Sequence, residues 1–128
     1  MKILTRALKA FADPNRMRIL KLLQHKEMCV CEVTEVLGVT QPSVSRHLRI
    51  LEEADFVEHR RDGLWIYYRL NSDSANPYVQ SLLGLLRGWL EQDQTIRTLI
   101  REASALDRDV ICRRPVTAPR SPRQGGSE

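Results

Sequence analysis

The 128-residue chain is 42% hydrophobic and 28% charged, with a formal net charge of +4. That length sets the expectation of one domain with a modest core, and the ordinary composition excludes collagen-like, mucin-like and wholly disordered chains. The charge is unevenly placed: residues 108–128 carry Arg108, Arg113, Arg114, Arg120 and Arg123 against Asp109 and Glu128, which leaves residues 1–107 nearly neutral. A high pI therefore says little about nucleic acid here, and the positions of the arginines must carry that argument.

Arg6 and Lys9 interrupt any apolar run at the amino terminus, so no signal peptide is expected. No stretch approaches the ~20 apolar residues of a membrane span, and the expected location is the cytoplasm, away from membranes. Three cysteines in such a chain are expected to be thiols rather than a disulfide framework.

Residues 3–12 place Leu4, Leu8 and Phe11 at helical spacing. Asp13-Pro14 is a helix start, and a second helix runs to about residue 24 with Ile19, Leu20 and Leu23 inward. A short third helix is expected over 30–37, ended by Gly38. Thr40 is the N-cap of a fourth, 41–54, with an apolar stripe of Val44, Leu48 and Leu51. The period then changes to two over residues 56–61 and 64–70, with the hairpin signal Asp62-Gly63 between them. After a polar loop, one long helix is expected over 78–103. Val79, Leu82, Leu83, Leu86 and Leu90 make one face, and Leu85, Trp89, Ile96, Leu99 and Ile100 widen it. That surplus of apolar surface asks for a second copy of the chain. The sequence divides into a folded domain over 1–107 and a basic, Pro- and Gly-rich tail over 108–128 expected to be disordered.

Helix, Gly-containing turn, helix and basic hairpin make the order of a winged helix-turn-helix: mainly α, with four helices, a two-stranded wing and a final helix. The second helix of the pair would enter the major groove of double-stranded operator DNA amino-terminus first. Gln41, Ser43 and Ser45 would reach bases or phosphates there, and Arg46 and Arg49 face outward. The hairpin adds Arg60, Arg61 and Arg69. His47 flanks the apolar stripe, so packing and DNA contact both remain open for it.

Gln41-Pro42-Ser43-Val44-Ser45-Arg46-His47-Leu48-Arg49-Ile50-Leu51 resembles the recognition helix of the ArsR/SmtB family of metal-responsive repressors, and residues 13–20 resemble that family's second helix. The similarity covers residues 3–103. It implies a homodimer joined by its first and last helices and released from its operator by an inducer. Asp55 departs from the pattern, because the family usually has Gly before the first wing strand.

Cys29-Val30-Cys31 opens the third helix. Successive helical residues turn about 100°, so two cysteines inside an intact helix would point about 200° apart. Sharing one small ligand requires non-helical backbone at the first turn, and a change there would be felt by the reading helix. Soft thiolates select soft ions. Residues 28–33 resemble the As(III)/Sb(III) site of arsenical-resistance repressors, which implies As(III) or Sb(III) as inducer and no catalytic cofactor. Thr34 stands where that group often has a third cysteine. A third thiolate would come from Cys112, of either chain, or from an external thiol; alternatively two suffice. Residues 76–103 contain no His, which disfavours the family's zinc site on the last helix. A redox or persulfide sensor using Cys29, Cys31 and Cys112 is the competing reading. A dithiol oxidoreductase is disfavoured because no βαβ pattern surrounds the pair, and a third reading has the basic tail binding an acidic partner.

Overall fold

The computed structural model describes residues 1–106. Nine elements follow in order: α1 (Lys2–Phe11), α2 (Pro14–His25), β1 (Met28–Cys29), α3 (Val30–Leu37), α4 (Gln41–Glu53), β2 (Val57–Asp62), β3 (Trp65–Leu70), α5 (Pro77–Leu86) and α6 (Gln94–Ser104). Their arrangement is the winged helix-turn-helix. None of the helices is long and apolar enough to cross a membrane among the described residues.

Local chemistry sets the boundaries. The Asp13 carboxylate accepts the Arg16 backbone N–H at 3.1 Å, and Pro14 fills the first helical position. α3 ends at Gly38, whose φ of 72° lets its N–H close onto the Thr34 carbonyl. Thr40 Oγ1 then accepts the Ser43 N–H and starts α4. The core beneath is continuous, with Ile19, Leu20 and Leu22 of α2, Val33 and Val36 of α3, Val44, Leu48 and Leu51 of α4, and Phe56.

The structure departs from the sequence pattern in four places. The inner face of α1 is Ala7, Ala10 and Phe11, while Leu8 is largely exposed; the small alanines allow close approach to the domain. A two-residue strand, β1, lies antiparallel to β3, giving a three-stranded sheet in the order β1-β3-β2. The wing turn is Gly63–Leu64, one residue later than Asp62-Gly63 alone suggests, because Asp62 still pairs with Trp65 and Gly63 takes the positive φ of 64°.

The expected long last helix is two helices. The chain breaks after Leu86, Leu90 adopts φ 64°, and Asp93 caps α6 by accepting the Ile96 N–H at 3.0 Å. The break is held by Lys21, which is buried in α2. Its Nζ donates to the Leu86 carbonyl at 3.2 Å and to Glu91 Oε2 at 2.6 Å. The carbonyl that a continuing helix would use internally is thus satisfied by a side chain.

Candidate DNA-reading face and thiol site

α4 presents two unlike faces. Val44, His47, Leu48 and Leu51 are buried. Gln41, Ser45, Arg46 and Arg49 are exposed, and Ser43 is half-buried beside the Thr40 cap. On the wing, Arg60, Arg61 and Arg69 are exposed as well. They are not equivalent. Arg69 Nε donates to Glu58 at 2.9 Å. Arg60 donates through Nε and Nη2 to both carboxylate oxygens of Glu27, at 2.9 and 2.7 Å, and stacks over the Tyr67 ring at 4.7 Å. Among the described residues Arg46, Arg49 and Arg61 form no ion pair, which leaves their charge available to phosphates.

His47 takes the packed alternative. It is only 6% exposed, and Arg16 Nη1 lies 3.2 Å from its Nδ1. A guanidinium can only donate, so Nδ1 is the acceptor of a neutral ring. Burial holds the imidazole below its ordinary pKa; the Asp13 charge opposes this, and Arg16 and Arg46 reinforce it. The same Arg16 donates to the carbonyls of Ala10 and Lys9, so it ties α4 to the end of α1.

The thiols sit where the sheet meets α3. Cys29 is the last residue of β1 and the N-cap of α3, with extended backbone at φ −87°, ψ 166°. Cys31 lies in the first turn. The opposed directions of two cysteines within one helix therefore do not apply, because Cys29 precedes the helix. Cys29 is 2% exposed and Cys31 is half-buried. Glu32 completes a capping box: its Oε1 accepts the Cys29 N–H at 3.0 Å, and Lys26 Nζ lies 3.9 Å from its other oxygen.

One turn on, Thr34 is buried and its Oγ1 has no hydrogen-bond partner among the described residues. The described residues gather no group of three or more His, Cys, Asp or Glu side chains. The thiols they hold are therefore Cys29, buried, and Cys31, half-buried, two soft donors two positions apart in sequence. Cys112 and the tail lie outside the described residues. The pairing of Glu27 with Arg60 and the ties made by Arg16 had no local signal, since their partners are remote in sequence.

A family model described as bacterial regulatory protein, arsR family, matches residues 13–59. The arsenic resistance transcriptional regulator of Pseudomonas putida is 39% identical over 89 residues, covering 66% of this chain and 70% of that protein. The arsenical resistance operon repressor of Escherichia coli is 32% identical over 111 residues, covering 81% of this chain and 91% of that protein. The chain belongs to the arsR family of bacterial regulatory proteins. As an arsR-family member it is a transcriptional repressor of the helix-turn-helix class and not an enzyme. Among solved structures, the homodimeric winged helix-turn-helix domain of a possible ArsR-family regulator from Mycobacterium bovis superimposes with a TM-score of 0.60 at 28% identity, covering 73% of this chain and 82% of that one. The arsR-family match runs from the Asp13 cap through both cysteines and all of α4 into β2.

Proposed function

We propose that this chain represses transcription by binding operator DNA as a homodimer, and that As(III) or Sb(III) bound by the Cys29 and Cys31 thiolates releases it. The observation that carries the proposal is the placement of Cys29, an extended N-cap residue leading into α3, which in turn scaffolds α4. Gln41, Ser43, Ser45, Arg46 and Arg49 on α4 and Arg61 on the wing supply the DNA contacts; His47 holds α4 in place. Ile3 and Leu8 of α1, Leu85 of α5, and Trp89 and Leu90 beyond it are exposed in the single chain, which supports burial against a second copy. The M. bovis relative is itself described as homodimeric.

Each thiol proton would leave as water with a hydroxide displaced from the metalloid, leaving two S–As or S–Sb bonds. Cys29 and Cys31 would supply those bonds, and Thr34 lies buried nearby. Drawing both sulfurs to one centre alters the start of α3, and with it the spacing of two reading helices that must match one DNA turn of about 34 Å. Switching DNA occupancy from 99:1 to 1:99 takes ~5.5 kcal/mol of differential binding, within reach of thiolate–metal bonds.

The test is a fluorescence-anisotropy titration on the chain's own promoter DNA with arsenite, antimonite, Cd(II), Zn(II) or a polysulfide. Release by arsenite or antimonite that is lost in Cys29→Ser and Cys31→Ser is the expected result, and Cys112→Ser decides the third donor. Arg46→Ala should weaken binding and lower the salt slope by about one. Release by polysulfide alone refutes the metalloid inducer.

A further inference from the structure

The sheet holds a closed ring of contacts that runs from the thiol site to the wing. Tyr67 of β3 is the register partner of Cys29 on one side and of Arg60 on the other. Arg60 stacks over the Tyr67 ring, and its guanidinium reaches past that ring to grip Glu27 with two hydrogen bonds. Glu27 lies two residues before Cys29, so the chain itself closes the ring. β1 is only two residues long and has few ladder bonds with which to hold Cys29 extended. A simple exposed ion pair would add little to that, but a bidentate and stacked arginine is the favourable exception.

We infer that Glu27 and Arg60 form the clasp that couples the thiol site to the DNA-reading wing. With the clasp closed, β1 keeps Cys29 extended against β3 and the wing is held in register with α3. A ligand that pulls Cys29 towards Cys31 must strain β1, and the clasp passes that displacement to the strand that carries Arg60 and Arg61. Glu27 and Arg60 are positioning residues in this scheme, since neither touches the bound ion. The inducer part of the inference rests on the proposed metalloid reading, whereas the link between Cys29 and the wing does not.

Two measurements on the full chain test it, using Glu27→Gln, Arg60→Gln, the double variant, and the exchanged pair Glu27→Arg with Arg60→Glu. The first is the rate of alkylation of Cys29 by N-ethylmaleimide, read by peptide mass spectrometry with Cys31 as internal reference. Cys29 is buried, so its labelling reports opening of β1. Each single variant should label Cys29 about fivefold faster than wild type, the double no faster than either single, and the exchanged pair should restore slow labelling. Unchanged labelling, or additive effects with no restoration, overturns the clasp.

The second measurement is the ratio of DNA affinity without and with antimonite. Glu27→Gln should reduce that ratio at least about threefold, because a coupling residue alters the ratio whereas a merely structural one shifts both affinities together. An unchanged ratio overturns the coupling role. If antimonite fails to release wild-type DNA, the metalloid inducer falls. The clasp then stands or falls on whether DNA slows Cys29 labelling in wild type and loses that effect in Glu27→Gln.

Discussion

Asp55 sits between α4 and β2 at φ 71°, a backbone that L-residues rarely take. Its N–H donates to the Glu52 carbonyl at 3.0 Å, and its carbonyl accepts Asn71 Nδ2 at 3.3 Å. Both bonds belong to the backbone and survive a change of side chain. Left-handed geometry costs an L-residue about 1–2 kcal/mol, Asp somewhat less. A carboxylate just past the end of α4 adds a few tenths through the helix dipole. Glycine removes both terms but loses about 0.5–1 kcal/mol of unfolded-chain entropy. Asp55→Gly should therefore stabilise the protein by about 0.5 kcal/mol. Asp55→Ala removes the charge and keeps the strain, so it should be about 1 kcal/mol less stable than the glycine variant. Urea unfolding at fixed protomer concentration reads the difference as a shift in midpoint at constant slope. An alanine variant as stable as the glycine variant would refute the assignment of strain to this residue.

Two further outcomes follow from buried polar groups. The depressed pKa of His47 means that the unfolded chain binds its proton more readily. Its contribution is therefore complete above the ordinary histidine pKa near 6.5, and is lost as pH falls through the lower folded value. Wild type should lose stability on acidification from neutral pH more steeply than His47→Gln; equal slopes in urea melts would exclude a neutral, Arg16-bonded ring. Thr34→Val removes a buried hydroxyl that has no partner, and should raise the urea midpoint by an amount equivalent to about 1 kcal/mol. A destabilised valine variant would mean that the hydroxyl is bonded in solution.

Much of the reading unit is local, and was legible for that reason. Asp13-Pro14, Gly38 and Thr40 act within a few residues of themselves, and each cap lies where the sequence puts it. The Cys-x-Cys pair was also visible, together with the need for non-helical backbone beside it. The rest depends on distant partners. β1 is too short to show a period of two, and exists because β3 offers it an edge. The apolar pattern of residues 78–103 runs straight through the break after Leu86. The break is decided by Lys21, far earlier in the chain, together with the Asp93 cap. His47 flanks its stripe closely enough to point either way, and its burial beside Arg16 depends on a residue far away in the sequence. The αL backbone at Asp55 was legible only as a departure from a glycine.

The strand order gives the wing two unequal sides. β3 is hydrogen-bonded on both flanks, at its middle to β1 and along its length to β2, so among the described residues β2 keeps an unpaired outer edge. An open edge is a template on which another chain can add a strand, and exposed charges are a common defence against that. His59, Arg60, Arg61 and Asp62 occupy this edge strand. Arg61, proposed to serve the wing in DNA recognition, and Arg60 of the clasp thus also help keep one molecule's sheet from growing onto another's. A substitution of Arg61 by an apolar residue would therefore threaten solubility before any operator was present.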